Sequence, residues 1–165
     1  MRNLYLLNVT VHVLAALLWL GGMFFFALVG APVLRRLEPP ALRARIFAEL
    51  GQAFRTVGWI AIAVLLVTGA LNLYLAGLLR GGLIESPAFW STPYGRALAW
   101  KLAAVAVMIA VSAVHDFVLG PRAGRLDPRS SAALRARSRA AWLARINALV
   151  GLGLVYAAVR LARGG

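Results

Sequence analysis

Both histidines of the chain, and both methionines that follow the initial one, fall at helical spacing on two apolar segments. His12, Trp19 and Met23 are separated by seven and four residues. At about 100° per residue these intervals return to one face of a helix, so the three side chains form a stripe. Lys101, Met108 and His115 are spaced by seven and seven, with Ser112 beside them, and form a second stripe. Imidazole and thioether together suit Cu(I), a soft ion that accepts a low coordination number. In order of depth, His12, Met108, Met23 and His115 make a ladder of weak metal sites. Such a ladder can receive an ion at one side of a membrane and release it at the other. The same donors admit a competing chemistry, haem b held between facing helices, with His12 and either Met108 or an open sixth position, or His115 and Met23, at the iron. Lys101 or Arg145 would then meet the propionates, with Trp19 and Asn147 in the pocket wall. The two histidines differ in depth by roughly 15 Å at the helical rise, too far to ligate one haem together.

Such stripes need helices to carry them, and the composition supplies helices that cross a bilayer. Of 165 residues, 62% are hydrophobic, more than a soluble domain of this size can hide. Four runs are long and apolar enough to span the hydrocarbon, at about 5–30, 57–79, 97–119 and 142–161. The expected fold is all-α, a single four-span domain over 1–165 arranged up-down-up-down. A cleaved signal peptide is the alternative for the first run. Only Arg2 precedes that run, however, and it far exceeds an h-region of roughly 7–15 residues. Arg35, Arg36, Arg43, Arg45 and Arg55 follow the first run, and Arg122, Arg125, Arg129, Arg135, Arg137, Arg139 and Arg145 follow the third. The positive-inside rule then puts both connectors in the cytoplasm and both termini outside, in the inner (plasma) membrane. Segments 40–54 and 130–145 can extend the neighbouring helices amphipathically along the headgroups.

Several functions are excluded. Without cysteine there is no disulfide, zinc-thiolate site or thiol nucleophile. Glu38, Glu49, Glu85 and Asp127 lie in connectors, and no serine–histidine–acid set or phosphate loop is present, which argues against a hydrolase. The formal net charge of +13 sits beside apolar runs, where it holds anionic lipid headgroups. No basic face with interleaved aromatics points to nucleic acid.

Supporting polar residues carry plainer readings beside the functional ones. Trp59, Thr68, Asn72 and Tyr74 fall on the second run, and Asn147 and Tyr156 on the fourth. A hydrogen bond from His12 to Asn72 or Tyr156 would account for that histidine without a metal, and Met23 alone could be filler. Asp116 is placed to orient the imidazole of His115. Gly21, Gly22, Gly151 and Gly153 permit close helix approach or leave room for a ligand. Beyond polar placement on the first and third runs, no repeat is strong enough to claim.

The stretch HVLAALLWLGGMFFFALVGAPVLRR at 12–36 resembles the first helix of the copper-resistance protein D (CopD) family. That family shares its histidine, Trp–x–Gly–Gly turn and proline-arginine exit. FRTVGWIAIAVLLVTG at 54–69, KLAAVAVMIAVSAVHDFVLGPR at 101–122 and RINALVGL at 145–152 resemble the same small proteins. The resemblance implies an inner-membrane protein of copper uptake or resistance, with a periplasmic copper donor as an implied partner. The superfamily is also similar to HemJ-type protoporphyrinogen oxidase, which would make His12 a haem ligand and Lys101 its essential partner. Here Asn147 is followed by Ala148 where that pattern has an acid. If neither metal nor haem binds, the remaining reading is a non-catalytic assembly partner that contacts another membrane protein through Gly21, Gly22 and Gly151.

Overall fold

The computed structural model describes residues 2–79, 82–126 and 130–163. It is all-helical among those residues, with four long apolar helices: α1 (Arg2–Leu34), α2 (Pro40–Leu75), α3 (Pro93–Arg122) and α4 (Ser131–Ala162). Each is longer than the run that announces it, because the flanking segments join the same helix. The amphipathic stretch at 40–54 is the start of α2, whose 36 residues reach about 54 Å at 1.5 Å per residue. A hydrocarbon layer of about 30 Å leaves its arginine-rich first turns outside the acyl region. Likewise the segment at 130–145 is the beginning of α4, capped by the Ser130 side chain, which accepts from the Ala133 N–H.

Local chemistry sets the remaining ends. α2 stops at Leu75, short of the expected limit at 79, because Gly77 takes φ +79°. The Gly77 N–H then bonds to the Tyr74 carbonyl at 3.0 Å and Leu78 N–H to the Leu73 carbonyl at 3.0 Å, a Schellman closure. Leu78 turns inward as that motif requires, meeting Leu73, Phe89 and Leu98. α3 begins at Pro93, before the expected 97, because Pro93 suits the first helical turn and Thr92 Oγ1 accepts from the Gly95 N–H at 3.0 Å. Neither α1 nor α3 stops at its Gly/Pro exit. Each passes through a π-helical turn, Phe26–Gly30 in α1 and Val114–Leu119 in α3, and continues helically.

These exits reveal a correspondence that the sequence reading does not claim. A glycine and a proline close each π turn: Gly30 is the last residue of the first, with Pro32 beyond it, and Gly120 follows the second, with Pro121 next. Leu-Glu-Pro at 37–39 and Leu-Asp-Pro at 126–128 follow, and then the same five residues, Ala-Leu-Arg-Ala-Arg, at 41–45 and 133–137. The packing follows this plan, with α1 chiefly on α2 and α3 chiefly on α4.

The pairs meet at a small core of Trp19, Ala61, Ile62 and Met108, around which Met23, Trp59, Val150 and Leu154 pack. Large apolar side chains point outward in quantity; Leu17, Leu28 and Val67 are 64, 72 and 68% exposed. That is the pattern of a protein whose solvent is lipid. In such a solvent apolar burial does not hold helices together, so close contacts and polar links must. Gly22 supplies one contact, since a Cβ there would strike the ring of Phe54 on α2, whereas Gly21 faces open space. Asn8 supplies a link: its buried Nδ2 donates to the Thr68 carbonyl at 2.9 Å and to Asn72 Oδ1 at 2.8 Å.

Two outcomes follow for the protein in detergent. Gly22→Leu lowers stability by about 1–3 kcal/mol through overpacking, and Gly21→Leu leaves the melting temperature nearly unchanged. A double-mutant cycle of Asn8→Ala with Asn72→Ala gives a coupling of about 0.6–1.7 kcal/mol, measured by reversible unfolding.

Candidate functional site

The stripes read from sequence converge on the bundle interior along α2. At the Thr68 level, His12 is half-buried and Gly69 lies against its ring, 3.5 Å from Cε1 to the place a Cβ would occupy. The Thr68 hydroxyl donates to the Val64 carbonyl at 2.6 Å, as hydroxyls in apolar helices do. Its oxygen therefore accepts from His12, whose Nδ1 is 2.7 Å away. With that arrangement the proton is on Nδ1, and the Leu65 carbonyl also lies within hydrogen-bonding reach of the ring. The histidine's partner is thus Thr68. The alternatives Asn72 and Tyr156 are otherwise placed: Asn72 is engaged by Asn8, and Tyr156 is 65% exposed. Lys101 on α3 is half-buried and within electrostatic reach of the His12 ring.

From there down to Gly58, next to Trp59, Trp19 packs against α2, with Met108 in the same buried cluster. Beside this cluster lies a polar knot shared by three helices. Asn147 of α4, 4% exposed, donates through Nδ2 to Ser112 Oγ of α3 at 2.9 Å and towards Met23 Sδ of α1 at 3.7 Å. Its Oδ1 is buried without a hydrogen-bond partner among the described residues. Turning the amide over would serve the oxygen and strand the nitrogen, so one polar atom stays open either way.

At the Trp59 level, the π turn of α3 carries His115 and Asp116. His115 Nδ1 lies 2.8 Å from Asp116 Oδ1, and the other carboxylate oxygen accepts the Trp59 indole N–H at 2.9 Å. Arg55 Nη1 reaches the Asp116 carbonyl at 3.4 Å. Asp116 therefore both orients His115 and ties α3 to α2. As with His12, the bond is made through Nδ1. Thr68 and Trp59 are nine residues apart on α2, so the two imidazoles are separated in depth by about 14 Å.

The donor set suits a soft cation more than a hard one. Among the described residues no three His, Cys, Asp or Glu side chains gather. Imidazole and thioether are donors of the kind that suit Cu(I). Trp19, Ala61, Ile62 and Met108 pack together in the interior, where the haem scheme would need a slot for the porphyrin. Arg145, assigned to a propionate in that scheme, is exposed. The glycines put forward as an assembly surface are largely used within the chain. Gly22 meets Phe54 and Gly151 meets Leu20, and only Gly21 is open.

Asn8 escapes a reading built on histidine and methionine, although it lies four residues before His12 on the same stripe. The Trp59–Asp116 link also escapes it, since nothing in a single helix period names a partner across the bundle.

The family model for copper resistance protein D matches residues 48–161, which spans α2 beyond its first turns, α3 and nearly all of α4. A protein of Aquifex aeolicus (strain VF5), described as an uncharacterized protein, is 32% identical over 165 residues. The match covers 99% of this chain and 97% of that one, and so includes α1. No solved structure matches the chain. With four membrane-length apolar helices and a family match over most of its length, the chain belongs to the copper resistance protein D family, as a multi-pass protein of the inner membrane.

Proposed function

We propose that the chain binds Cu(I) inside its helix bundle and conducts it across the inner membrane as part of copper homeostasis or resistance. The single observation that carries this reading is the shared state of the two imidazoles. Each is held through Nδ1 by a side chain, His12 by Thr68 and His115 by Asp116, and in this reading Nε2 takes the metal. Histidines used only for packing have no need of that common arrangement, whereas metal-ligating histidines nearly always have it.

The reading puts the thioethers of Met108 and Met23 between them. The N–H···S contact from Asn147 is weak enough for a soft cation to displace. The ion is the cargo, and it moves from His12 past Met108 and Met23 to His115. The arginine bias supports an up-down-up-down single domain with both termini outside and the connectors in the cytoplasm. His12 then lies in the outer part of the bundle, where a periplasmic copper donor delivers, and His115 opens to the cytoplasm. Lipid and metal are the partners of this reading, and nucleic acid is not.

Cu(I) titration of the purified protein under reducing conditions, against a competing chelator, tests the reading. Wild-type protein binds the ion, and Met23→Leu with Met108→Leu weakens binding at least about tenfold while preserving volume and melting temperature. Thr68→Val removes the partner of His12 Nδ1 and weakens binding by roughly ten- to a hundredfold, the usual effect of losing such a support. Folded wild-type protein that binds no Cu(I), or variants that bind as well as wild type, would defeat the proposal.

A further inference from the structure

On the outer flank of α3 and α4 lies a groove of about 520 Å³ that the copper pathway does not use. Its floor is made by small residues, Ala104 and Gly153 among them, and its walls include Trp100 and Tyr156. These two rings are 75 and 65% exposed. Arg96 and Arg160 line the same groove at one end, near the start of α3 and the close of α4. Arg96, Trp100 and Ala104 follow at four-residue steps, so the groove runs about 12 Å along α3 from its charged end to its apolar end.

We propose that this groove is a binding site for one anionic phospholipid. The phosphate lies on Arg96 and Arg160, and an acyl chain lies along the Ala104 and Gly153 floor. Among the described residues neither arginine has a carboxylate within ion-pair distance. Arg96 is nevertheless positioned, because its guanidinium also donates to the Ser91 carbonyl. Two guanidinium groups match the planar, multidentate geometry of a phosphate. Trp100 and Tyr156 are the residue types that settle at headgroup depth beside such a charge. The volume is that of a site for a ligand of moderate size. A free anion would use only the arginine end and leave the apolar length bare, which is why the occupant is a lipid. The site stands apart from the proposed metal ladder and does not depend on it.

Native mass spectrometry of the full chain, released from micelles holding equal amounts of phosphatidylglycerol and phosphatidylcholine, tests the assignment. One phosphatidylglycerol is retained with a preference of roughly tenfold, on the scale that two arginines at a headgroup supply. Arg96→Gln with Arg160→Gln abolishes the preference. Gly153→Leu, whose added side chain begins in open space and so leaves the fold intact, lowers retention of both lipids by filling the floor. Equal retention of the two lipids by the wild type would overturn the proposal, as would a preference that survives in the double variant. Displacement of the lipid by millimolar inorganic phosphate would overturn it as well, since the site would then be one for a free anion.

Discussion

Everything in this bundle depends on one constraint. A polar side chain in hydrocarbon has no water to fall back on, so it must find its partner on another helix. The chain answers with three knots. Asn8 and His12 tie α1 to Thr68 and Asn72 of α2. Asn147 ties α4 to Ser112 of α3 and leans on Met23 of α1. Trp59 of α2 holds Asp116 of α3. Each link contributes modestly, about 0.6 kcal/mol on average for a hydrogen bond between membrane helices. Their leverage lies in register. Sliding one helix by a single residue along its neighbour would break every bond of a knot at once, while greasy side chains would repack with little loss.

Register in turn decides what the histidines can do. His12 meets Thr68 through Nδ1, and that placement follows from Asn8 bridging to the same turn of α2. His115 is poised in the same way because the carboxylate that steadies it is itself steadied by Trp59. The groups that would touch a metal are therefore supported by groups that would not. The support is complete at the two ends of the interior and incomplete in the middle, where Asn147 Oδ1 is open and Met23 is only loosely held. A path for an ion wants that profile, firm ligands at its mouths and yielding ones between.

Much of this was legible before any coordinates. Long apolar runs need no alignment to be read as membrane helices, and a seven-residue spacing of Lys101, Met108 and His115 puts them on one face whatever the neighbours are. Periodicity describes one helix at a time, however. It cannot say that Tyr156 turns outward while Asn147 turns in, nor that the partner of His12 is Thr68 and not Asn72. Asn8 was invisible for the same reason, being a single amide among apolar residues whose importance comes entirely from the helix opposite. The close of α2 at Leu75 depended on one glycine adopting a positive φ, which apolar composition masks because Leu78 and Leu79 continue the hydrophobic run.

The repeated plan of the two halves shows how chemistry was added to packing. Both α1 and α3 widen into a π turn at their glycine and proline, and π turns are costly irregularities that recur at functional positions. In α1 the turn carries Phe26, which meets Phe47 of α2 edge to face at 6.1 Å, and the widening serves packing alone. In α3 the corresponding turn carries His115 and Asp116. Adjacent residues of a regular helix diverge by about 100°, so two consecutive polar side chains could not both be served by the bundle interior. The looser turn lets Asp116 reach Trp59 and His115 together, with Phe117 close enough to lie against Trp59 at 5.3 Å between ring centroids. The same backbone irregularity thus closes a hydrophobic seam in one half of the molecule and holds an oriented imidazole in the other. The divergence between the halves follows from the side chains placed in the turn, since the turn itself is kept in both.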